Sequence, residues 1–430
     1  VTGNPVTDSG HSDQLRIYKY RTLKGIVMAT KIKIGVIGSG GRILKGVLRM
    51  LFQATDQAEV VALFDPSTDS IRAAKEMYNP NAKVYDDYKE LVRNPELDWI
   101  LIGSLNCFHA EQAIAAFKAG KHVYCEKPLA TTMEDCLAMR DAYRKSGRMF
   151  SFGFTLRYSP FYRKLNELIT SGAIGRIVSM EFNETLHFGH GAMIAVDWRN
   201  KTRNSGGHLL EKCCHDVDLV NWMVNSLPVR AASFGGRNIF VSDNQHLYER
   251  LVRNVQEVES LGKTRTQWLS LLKERNPFTS DGDIVDNQVV IFEYANGARA
   301  SFHTNCSTAI PERRMYICGT EGTIRANSRS STLECSSTSL RNGLDDCEVK
   351  NDFLMNGQDM HGHAGGDLIL GKELAAAMLQ GKASSGTLDD GLRSSISIFG
   401  ADESMKTGRM VDIRPYWEKA GIALPSGPDL

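Results

Sequence analysis

The chain has 430 residues, 42% hydrophobic and 23% charged, a length and balance that suit a globular protein of two domains with sizeable cores. Its 51 Lys and Arg against 50 Asp and Glu leave a formal charge of +1, which excludes a sequence-wide electrostatic attraction to nucleic acid or an anionic membrane. Membrane-spanning helices need runs of ~18–20 apolar residues, which are missing here, and nine scattered cysteines without a CxxC pair suit reduced thiols in a cytoplasmic protein better than a disulfide framework.

Residues 1–30 read as an N-terminal extension. Residues 1–27 lack the basic start, apolar middle and small-residue cleavage site of a secretory signal, and Met28 leads through Ala-Thr-Lys into an apolar run. The expectation is an over-long gene start or a poorly ordered segment.

From 31 to 152, short apolar runs alternate with amphipathic stretches. Strands are expected at Ile32–Ile37, Val60–Phe64, Trp99–Ile102, His122–Cys125 and Met149–Phe152. Helices are expected near Leu44–Phe52, Ser70–Met77, Tyr88–Val92, Ala110–Ala119 and Glu134–Lys145. That rhythm predicts a Rossmann-type α/β domain, a doubly wound parallel sheet.

After Gly153 the rhythm changes. A helix at Pro160–Ile169, a strand at Arg176–Thr185, a Gly-rich loop and a helix at Leu209–Met223 precede strands near Arg230–Phe240, Asp286–Tyr294, Ala298–Asn305 and Arg313–Cys318. Asn296-Gly297 between two apolar runs signals a hairpin. Residues 153–430 therefore predict an α+β domain with an open, predominantly antiparallel sheet for substrate binding and oligomerisation. It has a charged helical insertion at about 244–276, irregular Ser/Thr-rich surface structure at 328–346, and closing helices at Gly366–Leu379 and Leu388–Lys406.

The first strand runs straight into Gly38-Ser39-Gly40-Gly41-Arg42-Ile43 and a helix. Glycines suit this place because the chain must turn sharply and bring its N–H groups to a pyrophosphate at a helix N-terminus. Ile43 stands where the usual pattern has its third glycine. Asp65 ends the second strand, 27 residues after Gly38, where a carboxylate can hold the adenosine-ribose hydroxyls and repel a 2′-phosphate. The reading favours NAD, with NADP as the alternative in which Arg42 stacks on adenine or attracts a phosphate.

The more specific residues follow: Ser104-Leu105-Asn106-Cys107-Phe108-His109, Glu126-Lys127-Pro128, and Gly206-Gly207 followed by Glu211, Lys212, His215 and Asp218. Together these resemble the glucose-fructose oxidoreductase and inositol dehydrogenase family (Gfo/Idh/MocA), over roughly residues 31–410. The resemblance implies an NAD(P)-dependent enzyme that moves a hydride between nicotinamide and a secondary alcohol or ketone of a sugar, cyclic polyol or sugar derivative. It implies cofactor contacts from Ser104, Asn106, His109, Glu126 and Lys127. Lys127 then lies near the reacting carbon, Glu211 replaces the family's Asp, and His215 transfers the proton.

Bottom-up chemistry agrees. Oxidising an alcohol releases a proton with the hydride, which a histidine can take, while Lys127 stabilises the developing alkoxide and lowers the histidine's basicity. Glu211 and His215, four apart, share a helix face. Lys212 adds a second cation that stands to contact substrate. By position alone, Arg157, Tyr158, His187, Trp198, Arg199, Arg203 and Asp218, with His190 and Asp197, are candidates for a hydroxyl-rich or anionic ligand. His361 and His363 stand either to reach the pocket or to cap a helix. The histidines and Glu211 lack a standard zinc spacing, so no metal is expected. Two other functions share these residues: a glycosidase or lyase using transient oxidation, and a catalytically silent cofactor-binding sensor. A homodimer or homotetramer is expected, because an open sheet face needs cover.

Overall fold

Apolar runs too short for helices and bounded by turns build the first sheet. The protein's computed structural model describes residues 22–23, 26–27, 31–260, 271–272, 274–340, 347–355 and 361–424. Strands β1 (Thr22–Leu23) and β2 (Ile26–Val27) pair as a small antiparallel hairpin; the rest of the extension expected to be poorly ordered lies outside the described residues. Then β3 (Ile32–Ile37), β4 (Ala58–Phe64), β5 (Lys83–Val84), β6 (Trp99–Ile102), β7 (His122–Cys125) and β8 (Phe150–Phe152) form a parallel sheet in the order β5-β4-β3-β6-β7-β8. All four residues of β6 are buried, as a strand covered on both faces requires. The strand order reverses at β3, between β4 and β6, which places a crevice at the C-terminal ends of β3 and β6.

The second sheet has nine strands: β9 (Ile177–His187), β10 (Pro228–Gly236), β11 (Asn287–Tyr294), β12 (Arg299–Thr308), β13 (Arg314–Gly319), β14 (Gly322–Asn327), β15 (Thr332–Leu340), β16 (Cys347–Met355) and β17 (Val411–Asp412). Their order is β16-β15-β14-β13-β9-β12-β11-β10-β17, antiparallel except for the β9–β12 pair. The β11–β12 hairpin turns at Asn296-Gly297, where Gly297 has φ +81°. Helices His208–Val224 and Leu388–Thr407 pack together over one face, burying Phe182, Phe292, Phe302, Ile317, Val217 and Ile398. The opposite face leaves Phe234, Val289, Ile291 and Tyr316 exposed. No helix among the described residues is long and apolar enough to cross a membrane.

Two expectations are corrected. The supposed Gly-rich loop contains a helix, Phe188–Val196. Its Gly191 lets the helix approach β12, since a Cβ there would lie 1.9 Å from the Cys306 carbonyl oxygen. The Ser/Thr-rich stretch expected to be irregular contains β15, where Leu333 and Cys335 alternate inward; residues 341–346 lie outside the described residues, as do 261–270 and 273 of the insertion. Helix Gly366–Gln380 returns to the first sheet, burying Leu370, Leu374 and Met378 beside Leu44, Leu48 and Leu51.

Candidate active site

The turn after β3 is shaped by close contacts. Gly38 has φ +81°, and a Cβ there would fall 2.3 Å from the Ser104 backbone nitrogen. By contrast, a Cβ at Gly40 or Gly41 would meet nothing within 4 Å, so that side of the turn is open. Asp65 accepts hydrogen bonds from the Ser39 and Ser67 backbone amides at 2.7 and 2.8 Å, and from the Ser39 hydroxyl at 3.2 Å. A lone pair remains on Oδ1 for one ribose hydroxyl, and the long bond from the Ser39 hydroxyl to Oδ2 is one that a second ribose hydroxyl can replace. The open turn at the switch point and the half-buried acid fit a dinucleotide.

Several expected cofactor residues do other work. Ile43 is fully buried in the core, and a Cβ on Gly103 would lie 2.0 Å from its Cγ1. The close helix-to-strand approach normally given by a third glycine is here supplied by Gly103. Arg42 faces inward rather than toward adenine or a phosphate: its guanidinium donates to Glu126 at 3.0 Å, Asp367 at 2.8 Å and Thr155 at 2.9 Å. Glu126 turns inward as well: one carboxylate oxygen accepts from Arg42 and the Tyr124 hydroxyl, and the other from the Lys127 amide at 3.3 Å. His109 is buried between the Pro128 and Ser104 carbonyls, and burial lowers its pKa. Asn106 donates to the Ser205 carbonyl at 2.9 Å, and the Ser104 hydroxyl to Gln112 at 2.6 Å. These polar groups brace the loops around Lys127.

Lys127, just past β7, meets helix His208–Val224 from the other domain. Its ammonium donates to the Glu211 carboxylate at 3.2 Å and to the Glu211 carbonyl. Arg199 donates to the same carboxylate oxygen at 3.0 Å, is held by Asp197, and lies over the Trp198 ring at 4.4 Å. Burial alone would raise the Glu211 pKa, but Lys127, Arg199 and Lys212 outweigh it and hold the carboxyl well below its ordinary range.

His215 sits one turn along the same face, only 5% exposed, with its ring 5.6 Å from Phe154. Burial first, then the cations Lys127 and Arg313, hold it well below the usual imidazole pKa, so it is neutral at pH 7. Its Nδ1 is buried without a hydrogen-bond partner. An uncharged imidazole with an unsatisfied nitrogen beside an ammonium is equipped to take a proton from a hydroxyl group that the ammonium polarises.

Sequence reasoning missed the layer beneath. Glu184 on β9 is buried and pairs with Arg313 at 3.0 Å, Arg329 at 3.3 Å and Lys212 at 3.5 Å, while Arg313 clasps Asp216 with two 2.7 Å bonds. Lys212 is therefore anchored to Glu184. A charged residue at an inward position of a predicted strand was the available signal.

The structure gives several candidates for substrate contact other surroundings. Arg157 is bidentate to buried Asp218 at 2.7 and 2.9 Å, and also meets Asp390 at 3.0 Å. Tyr158 is buried, donating to the Phe152 carbonyl. Arg203 is exposed on a separate groove with Glu134, Glu403 and Lys406. His187 caps the Phe188–Val196 helix by accepting from the His190 amide, and the two imidazole rings lie 5.9 Å apart. Among the described residues no three His, Cys, Asp or Glu gather as a metal site. Cys213 and Cys214 are buried in the core.

A parallel sheet with an open glycine turn at its switch point, facing a second domain that supplies an acid and a histidine to a lysine, defines a two-domain dinucleotide-dependent oxidoreductase. Residues 32–154 match the oxidoreductase family's NAD-binding Rossmann fold, and residues 166–413 match its C-terminal alpha/beta domain. The chain belongs to this family, Gfo/Idh/MocA.

Among curated relatives, the putative oxidoreductase YteT of Bacillus subtilis is 25% identical over 300 residues, 63% of this chain and 70% of that protein. The inositol 2-dehydrogenase of Salmonella typhimurium is 34% identical over 195 residues, 45% of this chain; the match spans about half that enzyme, 55%. A solved levoglucosan dehydrogenase, in complex with NADH and levoglucosan, superposes with a TM-score of 0.70 at 20% identity, covering 89% of this chain and 99% of that one. The myo-inositol 2-dehydrogenase of Lactobacillus plantarum gives 0.65 at 20% identity, with the same coverage. At that identity the superpositions speak to fold.

Proposed function

We propose that the protein is an NAD-dependent dehydrogenase that oxidises a secondary alcohol of a sugar, cyclic polyol or sugar derivative, with Lys127 and His215 as the catalytic pair. The observation that carries this reading is the meeting of the Lys127 ammonium with the helix bearing buried, neutral His215. Bound at the glycine turn, NAD would supply the acceptor for hydride from the substrate carbon. Gly38–Gly41 would hold its pyrophosphate and Asp65 its adenosine ribose.

His215 takes the hydroxyl proton as the carbonyl forms. Lys127 donates a hydrogen bond to the same oxygen and stabilises its developing charge. Glu211 and Arg199 fix the ammonium, and Glu126 and His109 brace the strand end that carries it. Asp65 favours NAD over NADP because a 2′-phosphate would face its carboxylate. The apolar strip Phe234, Val289 and Ile291 supports a homodimer or homotetramer.

The test is to load the protein with NAD and offer inositols, aldoses, sugar acids and glycosides, following reduced cofactor together with product. Accumulation of reduced cofactor with one polyol supports the dehydrogenase. Cleavage of a glycoside with no net reduction would establish transient-oxidation chemistry instead, and cofactor binding without turnover across the panel would favour a sensor.

A further inference from the structure

His215 has a difficulty as a base: it is 5% exposed, and its Nδ1 has no partner that could carry a proton onward. A proton taken from each substrate molecule must leave before the next turnover. On one side the ring faces Phe154, which cannot transfer it. On another side is a second imidazole, His363, with ring centroids 6.2 Å apart and planes inclined by 48°. At that separation one water molecule can bridge the two rings.

His363 is built for such a transfer. Its Nδ1 lies 3.0 Å from the Asp367 carboxylate, which fixes Nδ1 as the protonated nitrogen and leaves Nε2 as the acceptor. Asp367 is itself held by Arg42 at 2.8 Å. The side chain of His363 is 37% exposed, so it meets bulk water where His215 does not.

The backbone is forced to present it. His363, Ala364 and Gly365 have φ values of 50°, 51° and 80°, three consecutive left-handed residues of which two carry side chains. The Ser159 hydroxyl clamps this turn by donating to the Ala364 carbonyl at 2.7 Å, and Gly366 passes so close to Thr155 that a Cβ would lie 2.3 Å from its carbonyl oxygen. Strain held in place by its surroundings beside a reactive group marks a position where orientation matters.

Resting on the dehydrogenase reading, we infer that the His363–Asp367 pair is a proton relay that carries the substrate proton from His215 to solvent. The substrate O–H bond breaks as His215 gains the proton. His215 gives it through water to Nε2 of His363, whose transient charge Asp367 offsets, and His363 releases it to bulk water. No further reactant is needed. The charged and titratable groups facing His363 are Asp367 on its own side, Arg42 from the nucleotide domain, and His215 and Lys212 from helix His208–Val224.

The experiment compares the wild-type enzyme with His363→Gln, which can still hydrogen-bond Asp367 but cannot relay a proton, in weak buffer with and without added imidazole. In the variant, kcat should fall on the order of 10- to 100-fold with KM and NADH affinity little changed. Imidazole should restore it in a saturable, pH-dependent manner tracking the neutral form, while the wild type should not respond. A variant with wild-type kcat, or one whose loss no imidazole concentration repairs at any pH, overturns the relay. Lys127→Ala and His215→Ala serve as controls: if they keep full turnover, the assignment of the catalytic pair itself fails, a result separate from any outcome at His363.

Discussion

Replacing Glu211 by Gln removes one charge and keeps the shape, and the structure sets what that should cost. The carboxylate is 5% exposed and one of its oxygens faces Lys127 at 3.2 Å and Arg199 at 3.0 Å. Removing one partner of a buried pair costs about 3–5 kcal/mol. Two features reduce that here: Asp197 still neutralises Arg199, and the Glu211 carbonyl still accepts from Lys127. The expected loss is therefore about 2–3 kcal/mol at pH 7, read as a lower urea midpoint at unchanged slope.

The pH dependence supplies a second arm. Because the folded-state pKa of Glu211 lies below its ordinary 4.5, its stabilisation is present above pH 4.5 and is lost as pH falls through the folded value. The gap between wild type and variant should shrink on acidification below that point. A less constrained Lys127 should also lower kcat by about 10- to 100-fold with NADH affinity retained. Equal stability at pH 7, or a gap that stays constant as pH falls, would refute the reasoning.

Three further outcomes follow from other parts of the molecule. Asp65→Ala should weaken NADH binding by about tenfold, since two ribose hydrogen bonds and the tie to the Ser39 amide are lost, and should narrow the gap between NADH and NADPH in a binding titration. Gly103→Ala should destabilise by about 1–3 kcal/mol through collision with Ile43, and Ile43→Ala in the same chain should recover part of that in thermal unfolding, whereas independent additive losses would count against the packing account. Asp402 is buried beside Gln288, and burial pushes its pKa to about 6. Its raised folded pKa means native stability declines as pH climbs from about 4 to 6, so Asp402→Asn should stabilise by roughly 2–3 kcal/mol at pH 8 and much less at pH 4. Gln288 Oε1, which has no partner, gains a donor. An unchanged unfolding midpoint at pH 8 would contradict this.

The first sheet was legible because its signals are local: β3, β6 and β7 occupy the residues their apolar runs indicate, and Gly38 and Asp65 follow from strand ends. The Glu211–His215 pairing was legible for the same reason, as a spacing of four on one helix. What failed depends on partners distant in sequence. Arg157 and Asp218 looked like ligand contacts until they were found to satisfy each other across 61 residues. Arg42 beside the glycine turn looked like a phosphate group's partner, and instead crosses to Asp367, 325 residues on. Gly191 suggested a loop, though its missing side chain serves helix-to-strand packing. In β15, serines and threonines masked an alternation carried by only Leu333 and Cys335. Polar residues in these places are read correctly only with their partners in view.

The central claim is that Lys127 and His215 act on the substrate oxygen, not on cofactor binding. Its most direct test is a single-turnover measurement of NAD reduction by the best polyol in wild type, Lys127→Ala and His215→Ala, each with its NADH dissociation constant measured alongside. The account predicts a fall of about 10²–10⁴-fold in the rate of the chemical step for both variants, with NADH affinity within a few-fold of wild type. Variants that reduce NAD at the wild-type rate, or that lose turnover only in proportion to lost NADH binding, would contradict it.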